Sequence, residues 1–495
     1  MTLIQRVKTG FDAGKKGYGG LLLLGTGTRL FALGSQFVVL IVMTRMLDKS
    51  SFGDAMGVFA FYRIASVGIG TGLGNVLLYH ISRTPTDHKA EIRRHRTVAL
   101  TGILLATAVA GGCAFWADSL AIEIFGKPSL ARWLMAFAPF MVFSTLNTVA
   151  IGALDGRSKI MEALIVAEAA PNGLRLLLLP LVHLLSLPDT AVAHVMTLSV
   201  AIPWLRTAWR LGCRSVGGLA PWVRWDAGYA TKYVLFSFSS LQLGGVDILI
   251  VSGLFSSLAA ADYAVAARIA ALYPFFQFII LRRFTPIAGQ LLHVGNMEVL
   301  QAEVTRCRRA SLLAVSLTMA GIVMVLPFGL RLLGDYESAV PIAIMLTVAP
   351  FVRSNFASCD RILQIAGYAN WGLGIMITGL AVVICVPLML HARLGLESIP
   401  IGMAASSLLL QPVIAHVLKQ RLGISTIGLS EIGMIVFVIA AVMLAHQFSQ
   451  AYVSAAIVTG AYLVIAALAA KDYSGFTKIV SAFRPRLPGQ DRVRK

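Results

Sequence analysis

The run from Phe52 to Trp116, FGDAMGVFAFYRIASVGIGTGLGNVLLYHISRTPTDHKAEIRRHRTVALTGILLATAVAGGCAFW, holds the pattern that decides the fold. An apolar stretch over 53–79 is followed by a gap, 80–96, that carries Arg83, Lys89, Arg93, Arg94 and Arg96, and then by a second apolar stretch over 97–116. Each stretch is near the ~20 apolar residues that a bilayer core requires. Working outward, the alternation predicts fourteen spans: 21–44, 53–79, 97–116, 131–153, 161–183, 189–205, 233–252, 258–281, 310–330, 338–358, 368–390, 397–418, 427–446 and 451–470.

Of the 42 Lys and Arg, 31 lie in the N-terminal arm, the C-terminal tail and the gaps after even-numbered spans. Six lie in or beside the odd gaps, namely Arg45, Lys49, Lys127, Arg132, Arg331 and Arg393. Basic gaps face the cytoplasm, so both termini are expected there. The expected architecture is an all-α polytopic membrane protein of about 14 transmembrane helices. Residues 1–20 form a cytoplasmic basic arm and 21–209 a six-helix lobe. A cytoplasmic linker over 210–232 leads to a second six-helix lobe, 233–420. An extra helix pair over 421–470 and a basic tail over 471–495 complete the chain.

Hydrophobic residues make up 57% and charged residues 13% of the 495, which excludes a soluble globular domain. No gap is long enough for a soluble domain, so the chemistry belongs in or against the membrane. The net charge of +19 is spread over the cytoplasmic gaps rather than gathered on one face. That excludes a nucleic-acid partner and fits anionic lipid headgroups. Five cysteines without a CxxC support neither a disulfide framework nor a metal site, and no cofactor is expected. The first span is long and lacks a clear small-residue cleavage site, so it reads as retained. Gly68-Ile69-Gly70-Thr71-Gly72-Leu73-Gly74 imitates a phosphate loop but lacks the GK[ST] ending and lies within a span. Close helix packing through small residues is the better reading.

A faint internal repeat links Gly53-Asp54-Ala55-Met56 to Ala261-Asp262-Tyr263-Ala264, an offset of 208 residues. Repeats of this kind place a substrate site where two bundles meet. Five arginines fall within spans: Arg29, Arg63, Arg175, Arg268 and Arg353. Each costs roughly 2.5–3.5 kcal/mol at a helix centre, so such residues face a water-filled cavity or a partner. Arg29 can also snorkel to the interface, and Arg175 with Glu168, and Arg353 with Asp360, can serve as structural pairs. Asp247 and Glu168 are the acidic residues at depth, and Asp247 can neutralise an arginine. A cavity lined by all of these is net cationic and suits an anionic headgroup, since guanidinium forks match phosphate. Prolines within spans, among them Pro139, Pro171, Pro203, Pro274, Pro350, Pro387 and Pro412, are sites for bends.

Several short stretches carry a family resemblance. Arg45-Met46-Leu47-Asp48-Lys49-Ser50-Ser51-Phe52-Gly53 resembles the turn after the first helix of polysaccharide exporters. Val246-Asp247-Ile248-Leu249-Ile250 with Ala261 to Ile269 resembles their seventh and eighth helices. Arg282-Arg283-Phe284-Thr285-Pro286 and Ile362 to Gly367 resemble the ends of helices eight and ten. The family is the Wzx-type oligosaccharide/polysaccharide flippases, in the superfamily that also holds the MurJ lipid flippases and the MATE drug exporters. The resemblance implies two six-helix lobes, a central cationic cavity and alternating access, in a non-enzymatic protein of the bacterial inner membrane. It implies translocation of undecaprenyl-pyrophosphate-linked oligosaccharide repeat units for exopolysaccharide, capsule or O-antigen assembly. Membrane lipids and assembly proteins such as a polymerase are the implied partners. Arg29, Arg63 and Arg268 would be cavity residues, and Asp247 and Glu168 could bind a coupling proton or cation. In MurJ-like members an extra helix pair helps hold the lipid tail, as spans 13 and 14 would. The alternatives are a cation-coupled multidrug exporter of the same superfamily and a membrane scaffold or enzyme of polysaccharide assembly.

Overall fold

The computed structural model describes residues 27–28, 30–83, 88–157, 159–210, 219, 228, 230–231, 245–356, 359, 362–363, 366 and 368–471. In the first half α1 (Leu30–Met46), α2 (Lys49–Arg83), α3 (His88–Phe115) and α4 (Leu130–Gly156) are followed by α5 (Ile160–Leu184) and α6 (Ala191–Arg210). The second half begins with α7 (Val246–Leu254), α8 (Ser257–Ala270), α9 (Phe275–Val294) and α10 (Met297–Leu333). It continues through α11 (Ala339–Asn355), α12 (Ala369–Leu394) and α13 (Ser398–Leu422), and ends with α14 (Leu429–His446) and α15 (Ala451–Lys471). Among the described residues there is no strand. Among the described residues seven helical stretches are long and apolar enough to cross a membrane, α12 and α13 forming one of them, and α8 with α9 make an eighth if counted together. Large apolar side chains such as Leu104, Phe115, Leu177, Met324 and Met389 stand exposed, as lipid-facing residues do. The chain is an all-helical polytopic membrane protein.

Two features differ from the sequence expectation. The basic gaps at 80–96 and 282–309 are not simple loops: α3 begins at His88, and α9 and α10 run to Val294 and from Met297. The helices continue past the apolar stretch because these charged residues are good helix formers and propagation adds a hydrogen bond per residue. Gly295, at φ +75°, ends α9 in the left-handed conformation, and the Asn296 side chain accepts from the Val299 amide to start α10. Second, the eighth span is broken. Leu272 and Tyr273 donate to carbonyls three residues back, and Pro274 has no amide to continue the ladder. The predicted seventh span is described only from residue 245 onward, within which α7 begins at Val246.

The described chain packs as two compact units. One contains Met1–Arg268, Leu330–Ala339 and Met376–Gly402; the other contains Ile269–Gly329, Val340–Ile375 and Met403–Lys495. In the first unit α2 lies along α4. Their closeness follows from glycine: a Cβ on Gly152 would stand 2.3 Å from the Gly74 carbonyl oxygen, and one on Gly70 2.7 Å from Thr148 Cβ. This is the small-residue packing expected of 68–74. Around this seam Leu73, Val76, Leu77, Val98, Val149 and Leu154 form a buried core. In the second unit Tyr273 donates to the Ala343 carbonyl at 2.9 Å, and Phe351 meets Tyr462 edge-on.

Candidate functional site

Arg63, Arg175, Arg268, Glu168 and Asp247, carried by four helices distant in sequence, come together within the first unit. Arg63 lies in the middle of α2, Arg175 on α5, Arg268 in the last turn of α8 and Asp247 in the first turn of α7. The Arg63 guanidinium interacts electrostatically with Glu168, Arg268 with Arg63 and Asp247, and Arg175 with Arg63 and Arg268. With every group ionised, three cations face two anions.

Glu168 owes its position to Pro171. Residues Ile165–Ala169 form a π-helical turn inside α5, and such turns widen the helix by one residue. Pro171 lacks the amide that a π ladder would direct at the Val166 carbonyl. Asn147 of α4 supplies the donor instead, at 3.2 Å, so the turn keeps its buried carbonyl satisfied. Arg175 is held on the same helix by Asn172 Oδ1 at 3.3 Å and on α6 by Ser199 Oγ at 3.0 Å, and it stands 5.9 Å from the Phe59 ring centre. Asn172 in turn donates to the Glu168 carbonyl at 2.8 Å. Arg175 is thus oriented by neutral partners that leave its charge intact. The guanidinium groups of Arg63 and Arg268 make no hydrogen bond or ion pair among the described residues. Asp247 is buried, accepts from Tyr263 at 2.9 Å, and has its other oxygen without a hydrogen-bond partner.

Of the other predicted arginines, Arg353 lies on α11 in the second unit. Arg29 and Asp360 lie outside the described residues. Asn147, Asn172, Ser199 and Tyr263 were not singled out from the sequence. Only Tyr263, inside the repeated motif beside Asp262, carried a signal there.

A second polar assembly sits at helix ends of the same unit, and it follows the repeat. Asp54 accepts from Ser129 and Ser257, each at 2.5 Å. Asp262 pairs with Lys49 at 2.7 Å. Lys49 and Ser257 are themselves 208 positions apart, as are Asp54 and Asp262, so each aspartate reaches the other half's counterpart. Gly53 permits the crossing, because a Cβ there would lie 1.9 Å from the Ser257 carbonyl oxygen. Gly126 and Gly334, also 208 apart, both adopt positive φ. Arg45 donates to the Leu332 carbonyl at 2.6 Å, and Lys49 to that of Asp335 at 2.8 Å. Lys127 donates to the Ser252 carbonyl at 2.7 Å. Burial pulls its ammonium below the usual lysine range, with Asp54 opposing.

No family model and no curated protein matches the chain. Solved structures do. One is the inward-facing conformation of a multidrug resistance MATE family transporter of the MOP superfamily, 16% identical with TM-score 0.66, covering 80% of this chain and 94% of that one. The outward-facing conformation of a multidrug resistance MATE family transporter is 16% identical with TM-score 0.58, over 81% and 95%. A MOP superfamily transporter from Pyrococcus furiosus, described by a reverse polarity of its binding pocket that suggests a different function, is 15% identical with TM-score 0.57, over 81% and 95%. The chain shares the fold of these transporters.

Proposed function

We propose that the chain is a transporter working by alternating access, and that its cargo is an anionic amphiphile. The observation that carries this is the meeting of Arg63, Arg175 and Arg268 within one unit of a membrane protein. Charge at this depth is retained only for a partner. Arg63 and Arg268 have no hydrogen-bonded carboxylate of their own, so their donor forks are available to phosphate oxygens. A lipid-linked oligosaccharide on undecaprenyl pyrophosphate has that headgroup, and its prenyl tail can stay in the bilayer while the head crosses. The reading is therefore a non-enzymatic flippase of the bacterial inner membrane that serves surface-polysaccharide assembly. It has two six-helix lobes and a C-terminal helix pair, with both termini cytoplasmic. The Lys49–Asp262 and Asp54–Ser257 contacts act as its outer gate. Asp247, with one oxygen unpartnered, and Glu168 are the groups for a coupling ion. A cargo can drive the cycle only by binding the two states differently, so the arginines grip more tightly while facing the cytoplasm.

The comparisons favour a second reading, a cation-coupled multidrug exporter, over this one, since two of the neighbours named above are multidrug transporters. For that cargo Asp247 and Glu168 are the binding groups. The deciding experiment uses a strain lacking the gene. Prenyl-linked glycans are identified by mass spectrometry and tested with a membrane-impermeant glycan probe, alongside sensitivity to cationic drugs. The flippase predicts accumulation of a complete, probe-inaccessible repeat unit and loss of surface polymer. It also predicts rescue by the wild-type chain but not by Arg63→Ala or Arg268→Ala. An unchanged lipid pool with increased drug sensitivity overturns the flippase in favour of the exporter.

A further inference from the structure

The second unit contains a groove of about 500 Å3 between α13 and α14, away from the arginine site. Its walls are apolar, with Leu408, Ile435 and Ile439, and its other end is polar, with His416, Lys419 and Thr426. That end is built rather than incidental. Gln301 of α10 clamps Ser425 from both sides, accepting from its amide at 2.7 Å and donating to its carbonyl at 2.7 Å. Arg308 donates to the Thr426 carbonyl at 2.9 Å and pairs with Glu431 at 2.7 Å. Glu431 also accepts from the Gly428 amide at 2.9 Å. The loop between the two helices is thereby fixed, and the Glu431 charge is consumed by Arg308. Two groups remain unanswered. The Thr426 hydroxyl is buried, at 2% exposure, without a hydrogen-bond partner. Lys419, in the last turn of α13, has no ion pair among the described residues. A buried hydroxyl left unpaired is costly, and the pair beside an apolar slot calls for an anionic head on an apolar chain.

We propose that this groove holds a phospholipid of the cytoplasmic leaflet with an anionic headgroup, its acyl chain along Leu408, Ile435 and Ile439 and its phosphate on Lys419 and Thr426. The end of α13 that carries Lys419 and Arg421 is the one the charge alternation assigns to the cytoplasm, where anionic lipids supply the negative surface. The occupant is a resident lipid and not the cargo, and the inference stands whether the cargo is a lipid-linked glycan or a drug.

The test is native mass spectrometry of the full chain in detergent, titrated with palmitoyl-oleoyl phosphatidylglycerol and with the matching phosphatidylcholine. The expected result is one retained phosphatidylglycerol adduct, favoured over phosphatidylcholine by roughly five-fold, the worth of one basic residue at an anionic surface. Lys419→Ala brings the two lipids to parity, Val436→Trp fills the slot and removes the adduct, and Arg63→Ala leaves it in place. Equal retention of both lipids by the wild-type chain overturns the proposal. So does an adduct that survives both groove variants in folded protein, or a preference for undecaprenyl phosphate over phosphatidylglycerol.

Discussion

Helix α2 and the pair α8–α9 occupy corresponding places in the two halves of the repeat, and they begin alike. Asp48 caps α2 by accepting from the Ser51 amide at 2.9 Å, and Ser256, 208 positions on, caps α8 by accepting from the Ala259 amide at 3.2 Å. Six residues further stand Asp54 and Asp262. Beyond the first turns the two diverge. Helix α2 runs unbroken for 35 residues and closes on α4 through Gly70, Gly74 and Gly152. Its counterpart stops at Ala270 and resumes at Phe275, and the stretch from Phe275 to Pro286 contains no glycine. Even so, a tyrosine bond recurs on both sides: Tyr62 donates to the Leu134 carbonyl and Tyr273 to that of Ala343, both at 2.9 Å. One copy of the element is locked to its neighbour by backbone contact. The other is interrupted next to Arg268, where the chain passes from the first unit to the second. Arg63 stands on the unbroken helix, and Arg268 two residues before the interruption of the other.

The comparison can be broken most severely at the glycine seam. Gly152→Leu forces a side chain into the Gly74 backbone, where overpacking costs about 1–3 kcal/mol or more. The expected outcome is loss of monodisperse protein on size-exclusion chromatography, whereas Gly321→Leu in α10, with open space around its Cβ position, keeps it. Pro274→Ala attacks the joint. Restoring the missing donor makes α8–α9 more nearly continuous, which raises stability by up to about 3 kcal/mol in thermal unfolding and slows transport. Faster transport, or a lower melting temperature, would remove the joint from the mechanism.

Smaller changes sharpen the likeness of the two starts. Asp48→Ala removes the α2 cap and costs about 1 kcal/mol, Ser256→Ala no more than that for α8. The bond from the Ser51 amide holds the Asp48 carboxyl below its ordinary value of 3.8. A depressed carboxyl contributes stability above its unfolded pKa and loses it as pH falls through the folded one. The gap between wild type and Asp48→Ala in chemical denaturation is therefore full at neutral pH and closes in acid below about pH 4. The smallest effect belongs to the Lys49–Asp262 pair, whose side chains are 25% and 13% exposed. Its coupling in a Lys49→Ala, Asp262→Ala double-mutant cycle is about 0.5 kcal/mol and falls with added salt. If the same cycle at Asp54 and Ser257 gives no coupling, the reciprocity of these contacts fails.

Much of this was legible in the residues. Alternating apolar and basic stretches predict helices, because a bilayer imposes length and internal hydrogen bonding on every span. The glycines of 68–74 announced close packing, and the matched aspartates at 54 and 262 marked the repeat. Less could be read at the site. Arg63, Arg175 and Arg268 are costly at depth wherever they stand, so their presence is visible in sequence while their meeting is not. Pro171 looked like one more membrane proline. Its effect, a π turn that carries Glu168, depends on Asn147 from a different helix supplying the missing donor. Gly53 and Ser257 gave no sign that one backbone rests on the other.

Taken alone, the sequence determined the all-helical membrane class, the order of the helices and the set of charged residues placed among apolar ones, since these follow from local propensity and the cost of burial. Tertiary structure decided which of those charges share a site, which aspartate answers which lysine or serine, and where a helix breaks. Such pairings join residues far apart in the chain, and only the close packing of helices brings their side chains within hydrogen-bonding or Coulombic reach.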